Sequence, residues 1–352
     1  MADYSCTSCT LIPSFNEQGD LLFFSDEITI IDCLKTRFTV TFDERTKEVS
    51  LSYRSKEEAK EIVTQIEEVL FTGTDRPSLF GAWRDREENQ VSSWVLFPKF
   101  KKRIQEHIYL EIITDGLFTH HLQPIFSLHT DRVFGYEFLL RPLEGVLHFH
   151  PGKLFGMSQE TGLQSLLDSQ ARRSSIRAGA DRLARGEKRF INFLPSSIYD
   201  PHHCLETTFR EVERSGVDPE DLVFEVVETE DIKDTDHLKE IFNVYRNHGI
   251  QVALDDIGSG YSTLERMEEL CPDYGKVDRG LIHNCFADEE KKKKLEAIRE
   301  KGEQLGIELL AEGIEKKEEA DFVKSLGFHY VQGYYLGKPN YYPLPNKTTK
   351  SF

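Results

Sequence analysis

From about residue 120 onward, eight short apolar segments recur along the chain, and helical segments separate most of them. In one such helix, residues 234–249, the apolar positions follow the i, i+3, i+4, i+7 spacing of a single face: Leu238, Ile241, Phe242 and Tyr245. Strands that alternate with helices form a largely parallel sheet with both faces covered. Eight such strands in roughly 220 residues, with no G-x-G-x-x-G after the first, favour a closed (β/α)8 barrel over an open doubly wound sheet.

The first hundred residues have a different pattern. A helix is predicted after Ser55, which is a suitable N-cap, with Glu58 in the third position of a capping box. A charged helical segment follows Pro98. Four β-branched or aromatic runs predict short strands: LLFF (21–24), ITIIDC (28–33), RFTVTF (37–42) and EVSLSY (48–53).

The predicted architecture is therefore α/β, a TIM-like (β/α)8 barrel preceded by a small α+β domain. We predict four segments: an N-terminal α+β domain at 1–95, a helical linker at 96–118, the barrel at 119–342 and a C-terminal tail at 343–352. The position of the N-terminal domain and the helical pattern after Pro98 suggest that it regulates the barrel.

The composition limits the partners. A formal net charge of -17 disfavours the basic surface that a nucleic-acid polymer requires. No apolar run approaches the roughly 20 residues of a membrane span, and the N-terminus lacks the apolar core of a signal peptide. We expect a cytoplasmic protein that binds neither nucleic-acid polymers nor membranes.

The six cysteines lack the dense, regular spacing of a disulfide framework and predict reduced thiols. Cys6 and Cys9 form a C-x-x-C pair, but a closed zinc site needs four ligands. The first 106 residues contain no His and one further cysteine, Cys33. A structural or incidental role is favoured, while a metal or redox site completed by an acid or a second subunit stays open.

Polar side chains stand where seven of the eight strands end. The carboxyl ends of barrel strands, which we call the barrel mouth, carry the active sites of such folds. A single buried acid is often only an ion-pair partner, but several carboxylates converging on one mouth without cations would protonate or repel one another. The polar positions are Glu137, Arg141, Asn192, Glu225, Glu228, Asp255, Asp256, Lys276, Asp278, Glu312, Glu315 and Gln332.

Divalent cations would relieve this repulsion. Oxygen ligands without His or Cys favour the hard cations Mg²⁺ and Mn²⁺. Two such ions about 3.5–4 Å apart can stabilise both the attacking and the leaving oxygen of a phosphoryl transfer. With Arg141 and Lys276 nearby, the pattern predicts metal-dependent phosphoryl chemistry.

Asp255 and Asp256 are adjacent, and neighbours on a regular strand point to opposite faces. In isolation, a D-D-x-G segment more often forms a surface turn. We expect the strand to end near Asp255, with Gly258 and Gly260 permitting a sharp turn that returns Asp256 to the barrel mouth.

Eight motifs, in order, resemble those of the EAL-domain phosphodiesterases, which hydrolyse the bacterial second messenger cyclic di-GMP to linear pGpG. The resemblance covers about residues 105–340 and excludes the first 95. The eponymous Glu-Ala-Leu is Glu-Phe-Leu here, and strand alternation should place Phe138 opposite Glu137, so that it repacks without removing a ligand. The motifs are Gln123 to Ile125, Glu137 to Arg141, Asn192, Phe224-Glu225 with Glu228, Asp255 to Ser262, Lys276 to Asp278, Glu312 to Glu315, and Gln332 to Pro339.

The resemblance implies a role for each matching position. One Mg²⁺ or Mn²⁺ would be held by Glu137, Asn192, Glu225 and Asp255, and Asp255 would bridge to a second ion held by Asp256 and Glu312. The implied catalytic residues are Lys276, Glu312 and Glu137: Lys276 would orient the attacking water or transfer a proton, and Glu312 is an alternative base. The implied substrate-binding residues are Gln123, Leu139, Arg141, Asp278, Gln332 and Pro339. Glu228 would anchor the loop after Asp256, and Glu315 would hold metal-ligating residues in place without binding the metal itself.

The sequence thus predicts a metal-dependent cyclic di-GMP phosphodiesterase that forms a homodimer through its barrel. Two alternatives stay open: a catalytically silent receptor for cyclic di-GMP or a protein partner, and a phosphodiesterase for another diester. Because this chain retains every metal ligand of the family, the enzyme is favoured.

Overall fold

The computed structural model describes residues 12–71, 77–86, 89–145, 148–226, 235–258, 264–345 and 348–350. Cys6, Cys9 and Glu228 therefore lie outside the described residues. The chain divides into two compact units, Met1–Phe118 with Pro142–Leu167, and Thr119–Arg141 with Asp168–Phe352. Within the described ranges, no helix has both the length and the apolar character needed to cross a membrane.

The first unit contains a five-stranded sheet in the order β2-β3-β1-β4-β5, with antiparallel neighbours throughout. The Ser55 hydroxyl accepts a hydrogen bond from the Glu58 amide at 3.1 Å, so the predicted N-cap is confirmed. Its elements are β1 Gly19–Phe24, α1 Ile28–Arg37, β2 Thr41–Asp43, β3 Glu48–Tyr53, α2 Lys56–Leu70, β4 Phe80–Asp85, β5 Val95–Leu96, α3 Phe97–Gln105, α4 His107–Asp115 and α5 Pro151–Thr161.

Two of the four predicted N-terminal strands need correction. The segment ITIIDC is helix α1, in which Ile30, Ile31 and Leu34 are buried on one helical face. A short apolar run fits a strand and a buried helix face equally well, so its periodicity could not separate them. The segment RFTVTF contributes only its end to β2, and the strands β4 and β5 lie in the tryptophan-containing region for which we predicted no strand.

The second unit is a closed barrel of eight strands in the order β10-β11-β12-β13-β6-β7-β8-β9, so the predicted fold is confirmed. Its strands are β6 Phe118–Ser127, β7 Arg132–Pro142, β8 Lys188–Phe193, β9 Leu222–Val226, β10 Gln251–Ile257, β11 Tyr274–Val277, β12 Glu308–Ala311 and β13 Tyr330–Gln332. Its helices are α6 Gln164–Arg182, α7 Pro201–Cys204, α8 Glu206–Ser215, α9 Thr235–Asn247, α10 Leu264–Leu270, α11 Arg279–Ile282, α12 Glu289–Leu305 and α13 Lys317–Leu326.

The strand β6 runs antiparallel to its neighbour β13, with Gln332 opposite Ile125. The pairs β7–β8, β8–β9, β9–β10, β10–β11, β11–β12 and β12–β13 are parallel. Because β6 is reversed, the residues that precede Ile125 approach the barrel mouth, and Gln123, two residues before Ile125, lies on that side.

The C-terminal segment bonds to the barrel where it is described. The Leu344 amide donates to the Tyr136 hydroxyl at 3.1 Å, and the Lys350 amide donates to the Asp131 carbonyl at 3.0 Å. Thr349 forms an antiparallel bridge with Arg132 at the start of β7. The predicted tail is thus hydrogen-bonded to the barrel along its described residues.

Candidate active site

A layer of polar side chains lies directly above an apolar layer inside the barrel. The apolar layer consists of Ile125, Phe190, Val223, Ala253, Tyr274 and Leu310. Two residues further along each parallel strand, on the same face, come Asn192, Glu225, Asp255, Lys276 and Glu312. On the reversed strand β6 the equivalent step runs backward from Ile125 to Gln123. The strand alternation therefore brings most of the predicted residues together at the mouth.

Lys276 lies at the centre of this polar layer. Its ammonium is 2.5 Å from Glu225 Oε2, 2.8 Å from Glu312 Oε1 and 3.1 Å from Asp255 Oδ1. Glu137 Oε1 is 3.8 Å away. Lys276 is 1% exposed and Glu225 is fully buried, so these charges interact with little screening by water.

Burial opposes the charged forms of Glu225, Asp255, Asp256, Lys276 and Glu312. It raises the pKa of Glu225 and of Glu312 well above the usual range, against the opposing influence of Lys276. Burial also raises the pKa of Asp256 to about 6, and the neighbouring Asp255 adds to the shift. For Lys276 the carboxylates, led by Asp255, outweigh burial and raise its pKa well above the ordinary value. The site therefore favours additional cations, because they would stabilise the ionised carboxylates.

A bulge in β10 places the two adjacent aspartates. Leu254 pairs with Gly275 and Ile257 pairs with Val277, so the register shifts between them. Asp256 has φ of +54°, in the left-handed region, and its amide donates to Asp255 Oδ1 at 3.0 Å. The strand thus continues to Ile257 and does not end near Asp255 as we expected. The bend lies at Asp256 itself, within the strand, and breaks the pleat there.

Glu137 is held by two amide side chains. Gln332 Nε2 donates to Glu137 Oε2 at 2.7 Å, and Asn192 Nδ2 donates to Glu137 Oε1 at 3.4 Å. Glu137 pairs in register with Phe190 of the apolar layer, which fixes its inward direction. Phe138, one residue on, packs toward α6: a side chain at Gly179 would meet its ring at 3.2 Å.

Three observations test whether these residues fit divalent metal ions. One carboxylate oxygen from each of Asp255, Asp256 and Glu312 lies within 4.8 Å of the others. The buried Glu225 Oε1 has no hydrogen-bond partner among the described residues. The cluster combines five carboxylates, those just named and Glu137, with the single ammonium of Lys276. Two divalent ions would balance the remaining negative charge, and the all-oxygen donor set suits them.

The predicted substrate residues lie around this layer. A backbone bridge between Leu122 and Asn340 brings the segment of Pro339 alongside β6, next to Gln123. Arg141 is half-buried at the end of β7, and its guanidinium donates to the Leu140 carbonyl at 2.8 Å. Leu139 is also half-buried on this strand.

Asp278 and Glu315 make local contacts. The Asp278 carboxylate accepts from the Gly280 amide at 2.7 Å and caps α11. Glu315 pairs with Arg279 at 2.7 Å. Both residues therefore shape the loops next to the metal ligands, while their carboxylates are engaged elsewhere.

The sequence prediction missed His121. It lies two residues before Gln123 on the alternating strand β6, and it is half-buried. Burial, together with the charges of Arg141 and Arg182, lowers its pKa. The period-two alternation of β6 was the signal that could have identified it.

Comparison with known proteins gives a consistent result. A model of the EAL domain family matches residues 105–339. The chain is 31% identical over 251 residues to a protein of Escherichia coli (strain K12) named as a probable cyclic di-GMP phosphodiesterase, PdeG. This match covers 68% of the chain and 48% of the relative, so the chain spans about half of that protein's length.

Two solved structures are also similar. A standalone EAL protein from Vibrio cholerae O395, in its c-di-GMP-bound form, is 35% identical, with a TM-score of 0.58 over 63% of this chain and 92% of that one. The Bacillus subtilis YkuI protein, in complex with c-di-GMP and calcium, is 27% identical, with a TM-score of 0.58 over 67% of this chain and 60% of that one.

Proposed function

Because the chain belongs to the EAL domain family, we propose that it is a metal-dependent phosphodiesterase that hydrolyses cyclic di-GMP to linear pGpG. The carboxylate cluster around Lys276 at the barrel mouth is the observation that carries this proposal. The names of the similar proteins support cyclic di-GMP as the substrate.

We propose that Glu137, Asn192, Glu225 and Asp255 hold one Mg²⁺ or Mn²⁺, and that Asp255 is shared with a second ion held by Asp256 and Glu312. The unpartnered Glu225 Oε1 supports the first set, and the close oxygens of the aspartates and Glu312 support the second. Such ions, when bound, supply a water of lowered pKa and withdraw charge from the phosphate.

The reaction adds one water to phosphorus and breaks the bond to a ribose 3′ oxygen, which leaves with a proton. Lys276 Nζ donates to the carboxylates of Glu225 and Glu312, so it can orient the water or hold a proton at this point. Glu312 Oε1, 2.8 Å from Lys276 Nζ, is the alternative proton acceptor. Glu137 is fixed by Gln332 and would keep its ligand geometry during the reaction.

The nucleotide would lie across the mouth. Arg141 has a planar guanidinium that suits bidentate contact with a phosphate. The other proposed contacts are Gln123, Gln332 and the backbone around Leu139 and Pro339, with Asp278 at the edge of the site.

The direct test incubates the purified protein with cyclic di-GMP and Mn²⁺ and separates the products by ion-exchange chromatography. We expect pGpG, and its loss on chelation or in Asp255→Asn. Asp218→Asn is the matched control, because this acid pairs with the exposed Arg185 before β9, at the opposite end of the barrel. Tight binding without pGpG would indicate a receptor. Equal turnover of linear dinucleotides would indicate a broader phosphodiesterase.

We also propose that the N-terminal domain regulates the barrel through α5. This helix lies in the chain between β7 and β8, which carry Glu137 and Asn192, yet it belongs to the first unit. Within that unit, the fully buried Arg103 of α3 donates from Nε to the carbonyl of Thr161, the last residue of α5, at 2.8 Å. In the same unit, Phe100 of α3 packs edge-on against Phe23 of β1. A change in the sheet could thus reach α5.

Arg103→Met in the full chain tests this regulation. We expect it to alter kcat, because it removes the contact with α5. The control is Lys101→Met on the same helix, because its ion pair is with Glu67 of α2 and not with α5. An unchanged kcat and oligomeric state for Arg103→Met, and likewise after deletion of residues 1–95, would count against the regulatory role.

We further propose a cytoplasmic homodimer that associates through the barrel. The four cysteines that the structure describes, Cys33, Cys204, Cys271 and Cys285, are free thiols, as expected in a reducing compartment. Light scattering of the purified protein would measure the dimer directly, and a monomer at micromolar concentration would contradict it.

A further inference from the structure

A buried ion pair lies behind the end of β8. Asp168 and Arg172 stand one helical turn apart on α6, and their side chains are 3% and 2% exposed. Arg172 Nε donates to Asp168 Oδ2 at 3.0 Å, and Arg172 Nη1 donates to the hydroxyl of Thr208, on α8, at 2.5 Å. The other carboxylate oxygen of Asp168 accepts from the Leu194 amide at 2.9 Å.

Stability alone does not account for the buried ion pair of Asp168 and Arg172. Removing two charges from water costs several kcal/mol per ion, and apolar side chains of similar volume often stabilise a core as well or better. Burial accordingly raises the pKa of Asp168, against the opposing influence of Arg172 and the Leu194 amide. The carboxylate offers one thing that an apolar side chain cannot, an acceptor for the Leu194 N–H.

That N–H belongs to the loop that begins directly after β8. Leu194 precedes the 3-10 turn Pro195–Ser197 and comes two residues after Asn192. On the outer face of β8, Arg189 near the start of the strand pairs with Asp221 at 3.2 Å. At the end of the strand, Tyr245 of α9 packs edge-on against Phe193 at 5.5 Å between ring centroids and stacks on Phe224 of β9 at 4.4 Å. The last ladder pair described between β8 and β9 is Phe193 with Val226, and the Asp168 carboxylate accepts from the next amide along, that of Leu194. This directed hydrogen bond fixes where the strand ends.

We propose that Asp168 is a positioning residue that sets the end of β8, and thereby the place of the Asn192 side chain at the metal site. Arg172, whose Nε donates to Asp168 Oδ2, orients the carboxylate. This inference rests on the proposed function, in which Asn192 is a metal ligand.

Two double variants isolate the hydrogen bond. Asp168→Asn with Arg172→Met removes both charges but keeps an amide oxygen for the Leu194 N–H. Asp168→Leu with Arg172→Met removes the charges and the acceptor together. Calorimetry on the full chain measures the Mn²⁺ dissociation constant of each double variant, and the difference between the two gives the effect of the hydrogen-bond acceptor alone. Thermal unfolding of the metal-free proteins shows any general loss of structure.

We expect the first double variant to bind Mn²⁺ with nearly the wild-type affinity and the second about tenfold more weakly, at similar unfolding temperatures. Equal affinities for the two would overturn the inference. If either fails to fold, Leu194→Pro deletes the same N–H from the donor side, with Leu194→Ala as its control. A wild-type-like affinity for Leu194→Pro would then overturn the inference.

The outcomes separate this inference from the proposed function. Failure of the wild-type protein to bind Mn²⁺ would overturn both. Wild-type binding of Mn²⁺ with no difference between the matched variants would overturn only the role of Asp168.

Discussion

Replacing Lys276 by methionine removes the ammonium at the centre of the candidate site while keeping a side chain of similar length. In the structure, three carboxylate oxygens lie within 3.1 Å of Lys276 Nζ, and the lysine is 1% exposed. Removal of one partner from a buried ion cluster typically destabilises a protein by about 3–5 kcal/mol. At about 2–4 °C per kcal/mol, metal-free Lys276→Met should unfold about 6–20 °C below the wild type.

Mn²⁺ should reverse much of this loss, because bound cations would neutralise the same carboxylates. Catalysis should not recover: we expect kcat to remain about a hundredfold or more below the wild type, since a positioned proton-handling group contributes at least that much. Differential scanning calorimetry with and without Mn²⁺, together with pGpG formation at saturating metal, measures both effects.

Lys188→Met is the matched control. Lys188 is another barrel lysine, at the start of β8. It is half-buried, and it donates to the Glu220 carbonyl and to Gln251 Oε1, an amide oxygen. We expect Lys188→Met to lower the free energy of unfolding by about 1 kcal/mol, equally with and without Mn²⁺. If metal-free Lys276→Met and the wild type unfold at the same temperature, Lys276 does not hold the cluster together, and the reasoning is wrong.

Four further substitutions test three other features of the structure. Calorimetric titration should show Asp255→Asn disturbing both Mn²⁺ ions and Asp256→Asn mainly one; loss of the same single ion in both variants would refute the shared role of Asp255. Burial, then the charge of Arg182, lowers the pKa of His120 to about 3. The unfolded chain therefore binds this proton first, and stability should fall by about 1.4 kcal/mol per pH unit as the pH drops from about 6.5 toward 3. Urea unfolding at pH 7 and 5 should show that the free energy of unfolding depends less on pH in His120→Asn than in the wild type. An equal pH dependence in the two proteins would contradict the lowered pKa of His120. Gly258→Ala should lower the unfolding midpoint and weaken Mn²⁺ binding, because φ is +95° and the new Cβ would stand 2.1 Å from a methyl carbon of Leu281; wild-type affinity would show that the end of β10 tolerates this change.

Barrel strands such as β9 were predictable because they are buried on both faces and read as short apolar runs. The polar residue that interrupts a run, such as Glu225 in LVFEV, then marks both the inner face and the mouth. The same reasoning predicted the buried face of α9, where Leu238 and Tyr245 are 1% and 0% exposed. Apolar periodicity and the length of an apolar run are local properties of the sequence, so they were available before the structure.

Other features depend on contacts between distant segments. Nothing local in ITIIDC distinguishes a strand from the helix α1, because the choice depends on which neighbours cover Ile30 and Leu34. The approach of Lys276 to four carboxylates on four other strands requires barrel closure and register. Asp168 and Arg172 have the i, i+4 spacing of an ordinary surface pair, and only the fold shows that they are buried behind β8.

The bulge in β10 lets one strand supply two carboxylates to the same mouth. A regular strand contributes one side chain per layer to a barrel interior, so a second carboxylate at this level would have to come from another strand. One extra residue, with its backbone in the left-handed region, avoids that requirement at Asp256. A designer who wished to build such a carboxylate cluster in an idealised barrel would therefore have to insert a residue into a strand, because substitutions on a regular strand cannot change its period.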